Sequence, residues 1–175
     1  MIVYIVRHAS AGESYSDPAR DRKRALDKTG IEQCGIMGRA LAAAGVHVDL
    51  VISSPLKRAT QTAVLVGNEL GYDGKLLLDA SLEPNGNYEK FRDLLRQQKN
   101  MEAVMVVGHN PSLPDFLGRL IGQRGRARVT LKKGAAARID VDGDSAELVW
   151  CLTPKVVRLI QEAAISSSRP KSSRK

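Results

Sequence analysis

The sequence lacks several features that would assign it to common classes of protein. Aromatic residues make up only 4% of its 175 residues, and its two cysteines, Cys34 and Cys151, show no C-x-x-C spacing. No apolar run approaches the roughly 20 residues that a membrane-spanning helix needs. These absences argue against a disulfide framework, a cysteine zinc site and a membrane span. They also predict a core built mainly from Val, Leu, Ile and Ala.

The two ends of the chain carry no sign of export or of a second domain. The N-terminus MIVYIVRHAS has no basic residue before its apolar run, which stops at Arg7, so it does not read as a signal peptide. We therefore expect a cytoplasmic protein with no membrane association. The C-terminal SSSRPKSSRK has no large apolar side chain with which to offset its ordering entropy. We predict one domain over residues 1–163 and a disordered basic tail over residues 164–175.

The net charge of +8 is compatible with a nucleic acid, an acidic partner or an anionic substrate. Apart from the tail, basic residues concentrate in the segment 119–133, which contains no aromatic residue. Modules that bind single-stranded nucleic acid usually stack bases on aromatic side chains. We therefore expect no nucleic-acid partner, and the anionic substrate and the acidic partner stay open.

Apolar runs and helical patterns alternate along the chain. The runs IVYIV (2–6), VDLVI (48–52) and AVMVV (103–107) predict buried strands, and weaker strands are expected at 75–79, 135–141 and 147–152. Helical spacing is present at 30–44, where Asp27 is a plausible N-cap, and also at 59–70, 88–98 and 112–121. This order predicts an α/β sheet covered on both faces, with the C-terminal hairpin near an edge.

Polar residues follow each of the three buried strands. Arg7 and His8 end the first, Ser53 and Ser54 with Arg58 follow the second, and His109 follows the third. Ligands of such sheets bind beyond the carboxyl ends of the strands, so these side chains are expected in one crevice. A lone histidine there is usually structural. Two histidines with two arginines and a helix N-terminus instead suit a phosphate, with an imidazole as nucleophile.

Four segments resemble one family, in the right order along residues 1–152. IVRHAS, RALDKTG, SSPLKRATQTA and VVGHNPSL are similar to the signature segments of the histidine phosphatase superfamily, the phosphoglycerate mutase-like enzymes. The resemblance implies a three-layer α/β/α sandwich with a mostly parallel central sheet. It implies a phosphatase that needs no metal or other cofactor. His8 would be the nucleophile that becomes phosphorylated, and Arg7, Arg24, Arg58 and His109 would bind the phosphoryl group.

Within that superfamily, the short chain, the LEPNGN loop and the closing WCLTP are most similar to SixA-type phosphohistidine phosphatases. This implies a phosphorylated protein, such as a histidine phosphotransfer domain, as the substrate, and we take a monomer as the default. Larger members place an acid near the third strand, for which Glu83 is the candidate here and Glu89 the second choice. Asp27 stands where the family pattern has Thr or Ser, which exchanges one N-cap residue for another.

Three other interpretations are weighed against the phosphohistidine phosphatase. A broad phosphatase of small phosphomonoesters, or a mutase, would need Glu83 as a proton donor. A non-catalytic phosphate-binding module would not need both histidines and both arginines. If the protein bound nucleic acid, that binding would survive the loss of His8. Short connections between the motifs leave no room for a lid of about 20 residues over the pocket, which favours a substrate presented on a protein surface.

Overall fold

Strands and helices alternate along the chain in the computed structural model, which describes residues 1–122, 127–143 and 145–167. The strands are β1 (Ile2–Arg7), β2 (Leu50–Ser53), β3 (Leu76–Leu78), β4 (Ala103–Gly108), β5 (Ala136–Asp142) and β6 (Ser145–Leu152). The α-helices are α1 (Pro18–Arg22), α2 (Lys28–Ala43), α3 (Lys57–Glu69), α4 (Tyr88–Gln97), α5 (Ser112–Ile121) and α6 (Pro154–Ser167), and a 3₁₀ turn (Ala80–Leu82) follows β3.

All six strands belong to one sheet, in the order β3-β2-β4-β1-β5-β6. The four strands β1 to β4 are parallel, whereas β5 runs antiparallel to β1, and β6 runs antiparallel to β5 at the edge. The strands β1 and β4 lie at the centre because their runs of apolar residues can be covered on both faces. The mostly parallel sheet and the C-terminal hairpin at its edge are therefore confirmed.

Helices cover both faces of the sheet and create two separate apolar cores. Alternate residues of β1 and β4 point to opposite faces, so Ile5 belongs to one core and Val6 to the other. On one face α4 and α5 pack together, and Phe91 stacks on Phe116 with ring centroids 4.9 Å apart. On the other face α2, α3 and α6 contribute Cys34, Met37, Leu41, Ala59, Ala63, Val66 and Val157. The predicted three-layer sandwich is confirmed.

Two helices were not expected from the sequence. The short α1 has no buried residue. The helix α6 continues through the predicted domain boundary at residue 163 and ends at Ser167, so the segment 164–167 is helical. The rest of the predicted tail, residues 168–175, lies outside the described residues. Within residues 1–122, 127–143 and 145–167, no helix combines the length and the apolar character that crossing a membrane requires.

Candidate active site

The ends of the three central strands bring the predicted residues to one edge of the sheet. Arg7 at the end of β1 pairs with Gly108 of β4, and Ser53 of β2 pairs with Val107 of the same strand. The residues that follow, His8, Ser54 and His109, are therefore neighbours, and all three are buried. This is the edge at which ligands of parallel sheets bind.

His8 presents an unprotonated nitrogen to the site. Its Nδ1 lies 2.7 Å from the carbonyl oxygen of Ala9, and because a carbonyl only accepts, Nδ1 must carry the ring proton. Burial, assisted by the charges of Arg58 and Arg7, lowers the pKa of His8 to about 3. The ring is therefore neutral near pH 7, and its Nε2 keeps a free lone pair.

His109 lies beside His8, with the two ring centroids 4.8 Å apart. Its Nε2 is 2.9 Å from Oγ of Ser54, and that hydroxyl already accepts from the amide of Leu56 at 3.3 Å. The Ser54 hydroxyl can donate to Nε2, and in that tautomer the ring proton of His109 lies on Nδ1, which has no other partner among the described residues. Burial lowers the pKa of His109 to about 2, with His8 and Arg58 adding to the effect. His109 is therefore a neutral donor.

The two predicted arginines are each anchored by one nitrogen and leave another without a partner. Arg7 donates from Nη1 to the carbonyl oxygen of Leu131 at 2.8 Å, and Arg58 donates from Nη1 to that of Asp21 at 2.9 Å. Among the described residues, Nε of Arg7, Nε of Arg58 and Nδ1 of His109 are buried and have no hydrogen-bond partner. Buried donors without partners are costly, and an oxyanion would satisfy them.

Arg24 also belongs to this edge. Its Nε donates to the carboxylate of Asp21 at 2.7 Å, and its Nη1 donates to the backbone oxygen of Ala11 at 3.0 Å. Its charge acts on both His8 and His109, whose pKa values it lowers. The structure thus brings together His8, Arg7, Arg24, Arg58 and His109, as the sequence analysis expected.

The two candidate proton donors are both engaged by arginines. Glu83, directly after the 3₁₀ turn, forms a two-point ion pair with Arg22 of α1, with N–O distances of 2.8 and 3.0 Å. Glu89 pairs with Arg92 at 2.7 Å on the exposed side of α4. The prediction that Glu83 is a general acid stays a prediction.

Two residues that position the site were missed as functional residues. Asp21 joins Arg24 to Arg58 from the unexpected helix α1. Thr62 was placed only on the packed face of α3, yet its hydroxyl donates to the carbonyl oxygen of Arg58 at 2.7 Å and accepts from the amide of Ala9 at 3.1 Å. It thereby links the loop after His8 to the helix of Arg58. The signal available in the sequence was that Thr62 follows Arg58 by one helical turn on the packed face of α3.

No group of three or more His, Cys, Asp or Glu side chains in the described part of the chain is arranged to hold a metal ion. The site is instead a set of neutral imidazoles and guanidiniums, which suits a phosphoryl group.

Comparison with known proteins agrees with this geometry. The family profile described as histidine phosphatase superfamily (branch 1) matches residues 3–83. A protein of unknown role from Picosynechococcus sp. (strain PCC 7002) is 32% identical over 166 residues, covering 89% of this chain and 98% of that protein. The chain belongs to the histidine phosphatase superfamily. The family and the relatives described next indicate a phosphatase, a hydrolase that does not need a metal, as predicted.

Within the superfamily, the chain is similar to SixA proteins. The phosphohistidine phosphatase SixA of Escherichia coli (strain K12) is 26% identical over 156 residues, covering 88% of this chain and 94% of SixA. A solved structure of the protein histidine phosphatase SixA complexed with tungstate superimposes with a TM-score of 0.81 at 25% identity, covering 90% of this chain and 99% of that one. The predicted resemblance to SixA-type members of the superfamily is confirmed.

Proposed function

We propose that the protein removes phosphate from phosphohistidine on a partner protein, through a covalent phospho-His8 intermediate. The observation that carries the proposal is the neutral His8 with its free Nε2, in a site where His109, Arg7 and Arg58 each keep a buried nitrogen without a partner among the described residues. The likeness to SixA over nearly the whole chain supports the choice of phosphohistidine among phosphate compounds.

The reaction proceeds in two displacements on phosphorus. In the first, Nε2 of His8 forms a bond to phosphorus while the bond between phosphorus and the substrate nitrogen breaks. In the second, water attacks phosphorus, and inorganic phosphate leaves His8. Arg7, Arg24, Arg58 and the Nδ1–H of His109 bind the phosphoryl oxygens, where charge spreads in the transition state. The hydrogen bond from Nδ1 to Ala9 holds the His8 ring in the reactive tautomer.

The leaving group of this substrate explains why a strong general acid is unnecessary. A protonated imidazole leaves readily as a neutral ring, unlike an alkoxide, which needs a proton from the enzyme. The ion pair of Glu83 with Arg22 is compatible with such a substrate. A small alkyl phosphomonoester would place a greater demand on a general acid.

The described residues around the active site also suit an acidic partner, such as a histidine phosphotransfer domain. Protein and partner would meet in the cytoplasm. Leu131 anchors Arg7, and the next two residues, Lys132 and Lys133, are exposed beside the site. Their charges would steer an acidic protein toward His8. The part of the predicted basic segment at 123–126 lies outside the described residues.

The proposal is tested by a matched phosphatase assay at neutral pH without added metal. Wild type, His8→Ala and the exposed-histidine control His47→Ala would receive a phosphohistidine protein and a panel of small phosphomonoesters. We expect wild type and His47→Ala to prefer phosphohistidine, and His8→Ala to lose turnover by about a thousandfold or more. A quenched reaction with labelled substrate should trap acid-labile phosphate on wild type and on His47→Ala, and none on His8→Ala.

Two outcomes would contradict the proposal in different ways. Rapid turnover of small esters without activity on the phosphohistidine protein would keep His8 as nucleophile and make the protein a broad phosphomonoesterase. A His8→Ala variant as active as wild type would remove His8 from the mechanism.

A further inference from the structure

The short helix α1 is attached to the protein by charged side chains. None of its residues, Pro18–Arg22, is buried, so it contributes nothing to either apolar core. A segment without apolar contacts depends on polar contacts for its position. In the described structure these contacts lie on two sides, one toward the phosphate-binding arginines and one toward Glu83.

On the inner side, Asp21 holds two cations next to each other. Its carboxylate accepts from Nε of Arg24 at 2.7 Å and lies 3.2 Å from Nη1 of Arg58. Arg24 and Arg58 repel each other, which contributes to a lowered pKa of Arg58 after the larger effect of burial. The negative charge of Asp21 offsets this repulsion, and its two oxygens fix the directions of the guanidiniums. Asp21 is therefore a positioning residue for both.

On the outer side, the next residue of α1, Arg22, ties the helix to Glu83, directly after the 3₁₀ turn. Both carboxylate oxygens of Glu83 accept from the guanidinium of Arg22, in a planar two-point pair. Glu83 is itself fixed, because its backbone oxygen accepts from the amide of Gly86 at 2.9 Å, and the Ser112 hydroxyl at the start of α5 donates to the neighbouring carbonyl of Pro84. The pair thus connects α1 to a well-packed part of the fold.

We propose that Glu83 acts on phosphate binding as a positioning residue and does not supply the proton. Through Arg22 it fixes α1, and α1 holds Arg58 and Arg24 in place through Asp21. The inference rests on the proposed phosphate-binding roles of Arg58 and Arg24. It assigns a use to Glu83, whose two carboxylate oxygens both accept from one guanidinium.

Charge reversal tests this connection. Arg22→Glu and Glu83→Arg would each break the pair, and the double variant would restore it with the charges exchanged. We expect each single variant to raise KM and the inhibition constant of inorganic phosphate about two- to fivefold, with a smaller change in kcat. In the double variant, the increase in the logarithm of each constant should be at most half of that in the single variants. The matched control is the exchange of Arg39 with Glu69, an ion pair at 3.3 Å between α2 and α3, which should leave both constants unchanged.

Glu83→Gln, which preserves shape, provides a second test if the reversed variants do not fold. A missing general acid slows substrates with poor leaving groups far more than those with good ones. A positioning defect slows both equally. We therefore expect Glu83→Gln to lose the same factor on p-nitrophenyl phosphate and on an alkyl phosphate.

Failure of this inference is distinct from failure of the proposed function. A loss confined to the alkyl phosphate would overturn the positioning role and make Glu83 the proton donor, and a double variant no better than Glu83→Arg would also overturn the positioning role. Neither result bears on phosphohistidine preference or on the loss of activity in His8→Ala, by which the proposed function is judged.

Discussion

His8 and His109 are buried side by side, and the interior of the protein keeps both rings neutral. Their pKa values of about 3 and about 2 have burial as the main cause. Neutrality leaves Nε2 of His8 with the lone pair that attack on phosphorus needs. The same desolvation that prepares the nucleophile also makes the folded state sensitive to acid.

We expect stability to fall as pH drops below about 6.5, where histidines of an unfolded chain take up protons and these two do not. Because the unfolded state then binds more protons, each histidine should reduce the free energy of unfolding by about 1.4 kcal/mol per pH unit. Above about pH 6.5 the two histidines do not reduce the free energy of unfolding. Urea unfolding between about pH 7.5 and 5 measures the slope, in a range above that in which carboxylates titrate.

Two variants separate the buried histidines from other causes of acid sensitivity. His8→Asn should lower the slope to about half of its wild-type value, since one of two equivalent groups is removed. His47→Asn, at an exposed position, should leave the slope unchanged. Equal stability of wild type at pH 7.5 and pH 5 would show that these rings are not held neutral by the fold.

At the scale of elements, the first turn of α2 holds the loop that follows His8. Asp27 caps the helix by accepting from the amide of Gly30 at 2.7 Å, and its other oxygen accepts from Ser10 and from the amide of Gly12, both at 2.8 Å. A side chain at Gly30 would meet the carbonyl oxygen of Ser10 at 2.0 Å, so the loop lies directly on the helix. Asp27 therefore serves both the helix and the active-site loop.

We expect Asp27→Ala to destabilise the protein by about 1 kcal/mol through loss of the cap. It should also lower kcat/KM, because Ser10 and Gly12 lose their shared partner. Asp27→Thr keeps one capping oxygen and should recover stability more fully than activity. Asn87→Ala removes the comparable cap of α4 and serves as the control for capping alone. Chemical denaturation and ester kinetics measure the two effects, and full activity in Asp27→Ala would refute the link to the loop.

The strands and the polar residues that follow them, Arg7, His8, Arg58 and His109, could be predicted because burial leaves a local signal, whereas Arg24 was expected only from the family resemblance. The runs that form β1, β2 and β4 are apolar throughout, so their positions and their shared carboxyl edge follow from the sequence. The helix α1 left no such signal, because a helix without a buried face has no apolar period. The pairing of Arg22 with Glu83 joins positions 61 residues apart and is fixed only by the tertiary fold.

The helix α6 was missed for a different reason. Its start does carry a signal, since Thr153 accepts from the amide of Val156 and Pro154 occupies the first turn. The serines and cations that follow suggested a polar tail, and this composition obscured the helical spacing before it. Burial of Val157 against the core of α2 and α3 stabilises the helix.

At the scale of the whole molecule, the positive charge is concentrated in the last residues of the sequence. Residues 168–175 contain four cations and no acid, and so carry half of the net charge of +8. Charge at a distance from a site affects the rate of encounter with a charged partner more than the chemistry. The tail should therefore matter for a protein substrate and not for a small one.

We expect deletion of residues 168–175 to leave the melting temperature and the turnover of a small phosphomonoester unchanged, because α6 ends at Ser167. Toward an acidic phosphohistidine protein, kcat/KM should fall about two- to fivefold at low salt. The difference should disappear near 1 M salt, where the screening length is about 3 Å. A full-length variant with Gln in place of Arg169, Lys171, Arg174 and Lys175 should behave like the deletion if charge is the cause. Equal rates at every salt concentration would show that the tail does not steer the partner, and slower turnover of the small ester would show that it supports the catalytic domain itself.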